Sequence, residues 1–132
     1  MSEAMRDDWV RPDWPAPPGV VAASTTRTGG VSEGSFATLN LGAHVGDEPA
    51  AVARNRRRLR EALGLAAEPR WLEQVHGTTV VDAAGVGDEP PAADASFTTQ
   101  PGVACAVLTA DCLPVLFSTI DGSAVAAAHA GW

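Results

Sequence analysis

From Asp47 to Leu63 the apolar residues Val52, Leu59 and Leu63 fall on one stripe of a helical period, while Arg56, Arg57 and Arg60 lie mostly off it. Asp47 suits an N-cap, Pro49 suits a first turn and Gly64 suits a C-terminal stop, so a helix is predicted over this stretch. Elsewhere the apolar residues come in short runs. The run GVVAAS, 19–24, predicts a short buried strand that ends in the polar, glycine-rich loop TTRTGGVSEG, and residues 36–46 read as an irregular connection. In WLEQVHGTTVVDA, 71–83, β-branched residues on both sides of Gly77 predict two strand pieces around a bend that presents His76. GVGDEPPAAD reads as a loop. Residues 103–108 form a nearly continuous apolar strand, broken at Thr109 to Cys112 and followed by a second apolar run, and 123–128 predict one more strand with His129 at its carboxyl end. Strands outnumber helices, and runs this apolar favour a covered sheet. The predicted fold is therefore α/β (or α+β), a mixed β-sheet with flanking helices.

The length of 132 residues accommodates one ordinary domain. Four of the ten prolines, Pro12, Pro15, Pro17 and Pro18, fall in residues 1–18, which read as an extended amino-terminal arm docked by Trp9 and Trp14; residues 19–132 form the domain proper. The formal charge of −7 repels a phosphate backbone, so the composition gives no support to nucleic-acid binding. Five of the nine basic residues, all arginines, crowd between Arg54 and Arg60, where they are read as the solvated face of the helix. No apolar run reaches the roughly 18 residues of a membrane span, and the first residues carry acids and prolines where a signal peptide would be apolar. A cytoplasmic location without membrane partners is expected. Two cysteines are too few for a disulfide framework, which leaves Cys112 open as a ligand.

Three histidines and two cysteines are the chain's soft or borderline ligands. Catalytic zinc commonly takes three such protein ligands and keeps one position open, and His76, Cys112 and His129 would supply that set. The spacing alone leaves the bland readings standing, with His129 a satisfied strand-end histidine and Cys112 a small buried hydrophobe; those readings are adopted for His44 and Cys105. The segments TTRTGGVSEG, LNLGAHVGDEPAAVARNRRRL, LEQVHGTTV, TADCLPVL and AHAGW, in this order, resemble the laccase-domain family, also called multicopper polyphenol oxidase-like or YfiH-like proteins. The resemblance runs from about Val20 to Trp132.

The resemblance implies that the histidine of QVHG, the cysteine of TADC and the histidine of AHAGW, here His76, Cys112 and His129, bind zinc. It also implies a purine nucleoside phosphorylase that deaminates adenosine and cleaves methylthioadenosine, with a purine nucleoside and phosphate as partners. Zinc suits deamination because it acidifies water toward roughly neutral pH, and Asp111 beside Cys112 is a candidate proton carrier. For phosphorolysis, Arg27 with Thr28, Gly29, Gly30 and Ser32 could cradle an anion, and Asn40 is a candidate substrate contact. A four-copper oxidase is excluded for this chain acting alone, since only His44 remains after the triad and Met1 and Met5 lie in the arm.

Family domains continue beyond AHAGW, so a domain truncated at its carboxyl end is expected, with self-association through an exposed sheet. Two other functions compete. One makes Cys112 a nucleophile with His129 as base in an amidase acting on peptidoglycan precursors. The other makes the chain an inactive fragment or interaction module.

Overall fold

The computed structural model describes residues 8–131, so Met1, Met5 and Trp132 lie outside the described residues. The described chain falls into two compact units: residues 8–13 with 22–68, and residues 14–21 with 69–131.

The first unit is built on helix α1, Pro49–Leu63. Its start and stop follow the local chemistry: Pro49 occupies the first turn, and Gly64 ends the helix in the left-handed conformation (φ 64°), its N–H returning to the carbonyls of Arg60 and Glu61. The cap differs from expectation by one residue. Glu48 sits at the N-cap without a side-chain bond, and Asp47 accepts from the Glu48 N–H while its other oxygen turns to Ser32 and Asn40. The buried stripe is Val52, Asn55, Leu59 and Ala62, with Leu63 half-buried. Burying Val52 and Leu59 contributes about 1.5–3 kcal/mol each. The strand predicted at 19–24 is absent. Ser24 exchanges backbone bonds with Val10 alone, and the prolines at 12, 15, 17 and 18 have no N–H with which to extend that bridge. Trp9 is buried and Trp14 half-buried.

The second unit holds a four-stranded mixed sheet, β1 Val80–Asp82, β2 Ala95–Thr98, β3 Leu113–Ser118 and β4 Val125–Ala130, in the order β1-β2-β4-β3. β1 and β2 are parallel, whereas β4 runs antiparallel to both β2 and β3. The class is α/β as the sequence predicts, although α1 is the one α-helix among the described residues, where flanking helices were expected. Two other expectations change, and one strand falls where none was predicted. Only the second half of 71–83 is a strand. Residues 103–108 make a single bridge, Cys105 to Arg70, because the Leu108 N–H and carbonyl are taken by the Gln74 side chain rather than by a neighbouring strand. β2 arises from ASFT, whose buried positions are the polar Ser96 and Thr98, so hydropathy alternation does not mark it.

This topology fixes where chemistry can gather. Ala95 pairs with Val80 on one side and Ala128 on the other, while Leu113 pairs with Ala130. The residues preceding β1, β2 and β3 therefore meet the last residues of β4 at one end of the sheet.

Candidate metal centre

His129 is the second-last residue of β4, Cys112 immediately precedes β3, and His76 lies in the turn leading to β1. Their ligand atoms all lie within 4.8 Å of one another, and among the described residues this is the one such group. Cys112 Sγ is 3.8 Å from His76 Nε2, and the two imidazole rings meet edge to face with centroids 4.9 Å apart. Tetrahedral zinc with nitrogen and sulfur ligands would separate such atoms by about 3.4–3.6 Å, so the group closes around an ion with small side-chain movements. His129 is buried, Cys112 half-buried and His76 exposed, which leaves one side of the group open. The chain therefore carries a soft nitrogen–sulfur donor set that could hold a metal ion.

Sequence reasoning missed Asp94. It extends β2 by one residue, and because Ala95 pairs with Ala128, Asp94 stands opposite His129, whose N–H donates to its carbonyl at 2.7 Å. The Asp94 residue is 2% exposed. One carboxylate oxygen accepts from the N–H groups of Val75 (3.0 Å) and Gly77 (2.9 Å), and the other from the His76 N–H (3.0 Å), with His129 Nδ1 at 2.8 Å from the same oxygen. Burial alone would raise this carboxyl, but the bonds from Gly77, His129, Val75 and His76 outweigh it and hold the group down at about 2. The signal was slight: an acid between alanines in AADAS, whose meaning depends on a strand that the pattern does not reveal. Gln74 was missed too. Its amide bonds Leu108 at both N–H and carbonyl, each at 2.7 Å, tying the segment before His76 to the one that leads to Cys112.

The other predicted site residues are placed differently. Asp111 is exposed beside Cys112 and outside the ligand group. Arg27, Ser32 and Asn40 belong to the first unit. The Ser32 hydroxyl donates to Asp47 at 2.5 Å and accepts from Asn55 at 2.8 Å, while the Asn40 amide bonds Asp47 and Gly42. Of the loop amides predicted to cradle an anion, those of Gly30 and Ser32 are committed internally, to Thr38 Oγ1 and to the Thr38 carbonyl, as is the neighbouring Val31 N–H, to Asn55 Oδ1. Gly30 is required by packing, since a Cβ there would run into the Thr38 carbonyl and Leu39 Cα. Arg27 is exposed, with its Nε on the Ala37 carbonyl. His44 is exposed, and Cys105 is half-buried, with burial pushing its thiol up. Among the described residues, no helix is long and apolar enough to cross a membrane.

Comparison with known proteins agrees with this architecture. The chain is 58% identical over 127 residues to a purine nucleoside phosphorylase of Pseudomonas aeruginosa, covering 94% of this chain and 50% of that protein. It is 55% identical over 123 residues to the purine nucleoside phosphorylase YfiH of Escherichia coli, covering 93% and 51%. A solved Neisseria meningitidis protein superposes with a TM-score of 0.88 at 54% identity, over 95% of this chain and 51% of that one. The chain thus spans about half the length of the curated relatives it matches. Residues 21–132 match the family described as multi-copper polyphenol oxidoreductase laccase, and with that match, and relatives this similar, the chain belongs to that family.

Proposed function

We propose that the protein acts as a zinc-dependent purine nucleoside phosphorylase that also deaminates adenosine and cleaves methylthioadenosine. The observation that carries the reading is the convergence of His76, Cys112 and His129 with one side left open. The names of the relatives support the substrate class: a purine nucleoside and phosphate. His76, Cys112 and His129 are the residues that would hold zinc, which when bound supplies Lewis acidity at that open side. Asp111, exposed next to Cys112, is assigned the proton transfers. Arg27, whose guanidinium reaches the surface, is assigned to phosphate. Ser32 and Asn40 act on substrate indirectly in this reading, by holding the loop that carries Arg27.

The test is zinc content together with product formation from adenosine and phosphate. Zinc-loaded protein should yield adenine and inosine, and yielding neither would remove the reading. His76→Ala, Cys112→Ala and His129→Ala should each lower zinc stoichiometry while His44→Ala should not. Equal loss from His44→Ala would show the ligand assignment to be wrong.

One observation favours a second reading, a metal-free cysteine amidase. A thiol lies within hydrogen-bonding distance of an imidazole, beside a second imidazole that a carboxylate orients. The nitrogen at hydrogen-bonding distance from Cys112 Sγ is His76 Nε2, so His76 would take the thiol proton that the sequence assigned to His129. Amidase activity that survives chelation and dies on thiol alkylation would select this reading.

A further inference from the structure

We propose that Asp94 is a positioning residue that builds the metal centre in advance, fixing the ring tautomer of His129 and the backbone of His76 with a single carboxylate. The inference rests on the reading of His76, Cys112 and His129 as metal ligands. It starts from the backbone of the turn before β1. His76 has φ 59°, and it is the non-glycine residue among those described that adopts a positive φ. A side chain in the left-handed region is held there only when its surroundings over-determine it. Here the determinant is visible: three successive N–H groups, of Val75, His76 and Gly77, converge on the Asp94 carboxylate at 2.9–3.0 Å. Successive amides around a left-handed residue form an anion-binding nest, and the anion in it is the protein's own.

The same carboxylate faces the ring of His129 at 2.8 Å. An ionised carboxylate only accepts hydrogen bonds, so the neutral ring must carry its proton on Nδ1. That leaves the Nε2 lone pair for a metal ion, with the ring already turned toward the other two ligands. One of the three ligands is thus positioned through its ring and a second through its main chain. Since the register of β2 against β4 sets Asp94 opposite His129, the arrangement belongs to the sheet itself.

An amide cannot replace this carboxylate. In one orientation Asp94→Asn turns its NH2 toward His129 Nδ1 and the His76 N–H, which pushes the ring proton onto Nε2, the atom a metal needs. In the other orientation it opposes the N–H groups of Val75 and Gly77 and releases the turn. Either way the positioning of one ligand is weakened.

The experiment measures zinc affinity of the protein by chelator competition, and the protonated nitrogen of the neutral His129 ring by 15N NMR of metal-free protein. Wild type should carry the proton on Nδ1, Asp94→Asn should bind zinc about 10- to 100-fold more weakly, and Asp94→Glu should recover part of the loss by restoring a carboxylate. A folded Asp94→Asn protein with zinc affinity within about twofold of wild type would overturn the inference and leave the metal reading standing. Should the Asn variant fail to fold, the wild-type ring decides: a proton on Nε2 overturns the inference, and one on Nδ1 supports it. Wild-type protein that takes up no zinc at all would overturn both, a result distinct from zinc uptake indifferent to Asp94.

Discussion

Asn55 in the helical unit and Asp94 in the sheet unit are both buried, and both gather hydrogen bonds from segments far away in sequence. Asn55 donates to Ser32 Oγ and the Asn40 carbonyl and accepts from the Val31 N–H, each at 2.8 Å. All of these partners are backbone or small polar groups of the same unit. Asp94 also spends its oxygens on backbone, but the residues it holds are His76 and His129, each of which offers a ring nitrogen to the ligand group. A neutral hub that satisfies backbone makes a rigid scaffold; an anionic hub that holds imidazoles makes a candidate site. Burial and bond count do not separate the two cases. What separates them is the chemistry left over on the partners.

The sharpest way to break this comparison is Asn55→Leu, which keeps the number of side-chain heavy atoms and removes three bonds at once. Each buried polar group left without a partner costs about 1–3 kcal/mol, so a loss of about 3–5 kcal/mol in denaturant unfolding is expected. Zinc bound per chain should stay at the wild-type level, because the ligand group belongs to the other unit. Zinc loss in a folded Asn55→Leu protein would show that the two networks are not separate.

A smaller effect is expected from Gln74→Ala, which unpairs the Leu108 N–H and carbonyl and slackens the approach to Cys112. Stability should fall by about 1–2 kcal/mol. Zinc affinity should fall by about tenfold or less, the low end for a group that supports a ligand at one remove. Affinity unchanged in calorimetric titration would mean that Cys112 is placed by β3 alone.

The sequence disclosed α1 well because its signals are local: Pro49 and Gly64 punctuate a stripe that needs no partner to be read. The three ligands were legible through the motifs around them, and the structure brings them together. What stayed hidden depends on pairing. β2 buries Ser96 and Thr98, so its inward face looks polar, and without β2 there is no register to set Asp94 against His129. The apolar stretch 103–108 misled in the opposite direction, since its composition is that of a strand while Gln74 supplies the partner a strand would need. Glycines and hydroxyls look alike whether they face a ligand or another part of the chain; at Gly30 the close approach of Thr38 and Leu39 gives the glycine a packing role that the sequence did not reveal.

The finest probe of the closed network is pH. Asp47 lies below its usual carboxylate value, chiefly because Ser32 Oγ donates to it, with Asn40 and the Glu48 N–H adding to the effect and burial opposing it. Ser32 in turn accepts from Asn55, so a directed chain of bonds runs from Asn55 through Ser32 to the Asp47 carboxylate. A carboxylate whose value is lowered by folding contributes stability that is fully present above its unfolded value, near 3.8, and is lost as pH falls through the lower folded value. Wild type should therefore be more stable than Asp47→Asn near neutral pH, and the two unfolding curves should converge as pH drops from about 5 toward about 2. Asp94 and Asp121, both held at about 2, titrate in both proteins and cancel in the difference. The effect should be the smallest of the set because Asp47 is partly open to solvent, which screens its charge. Curves that stay parallel across that range would show that the chain of bonds ends at Ser32, leaving Asn55 the hub of a network without a charged member.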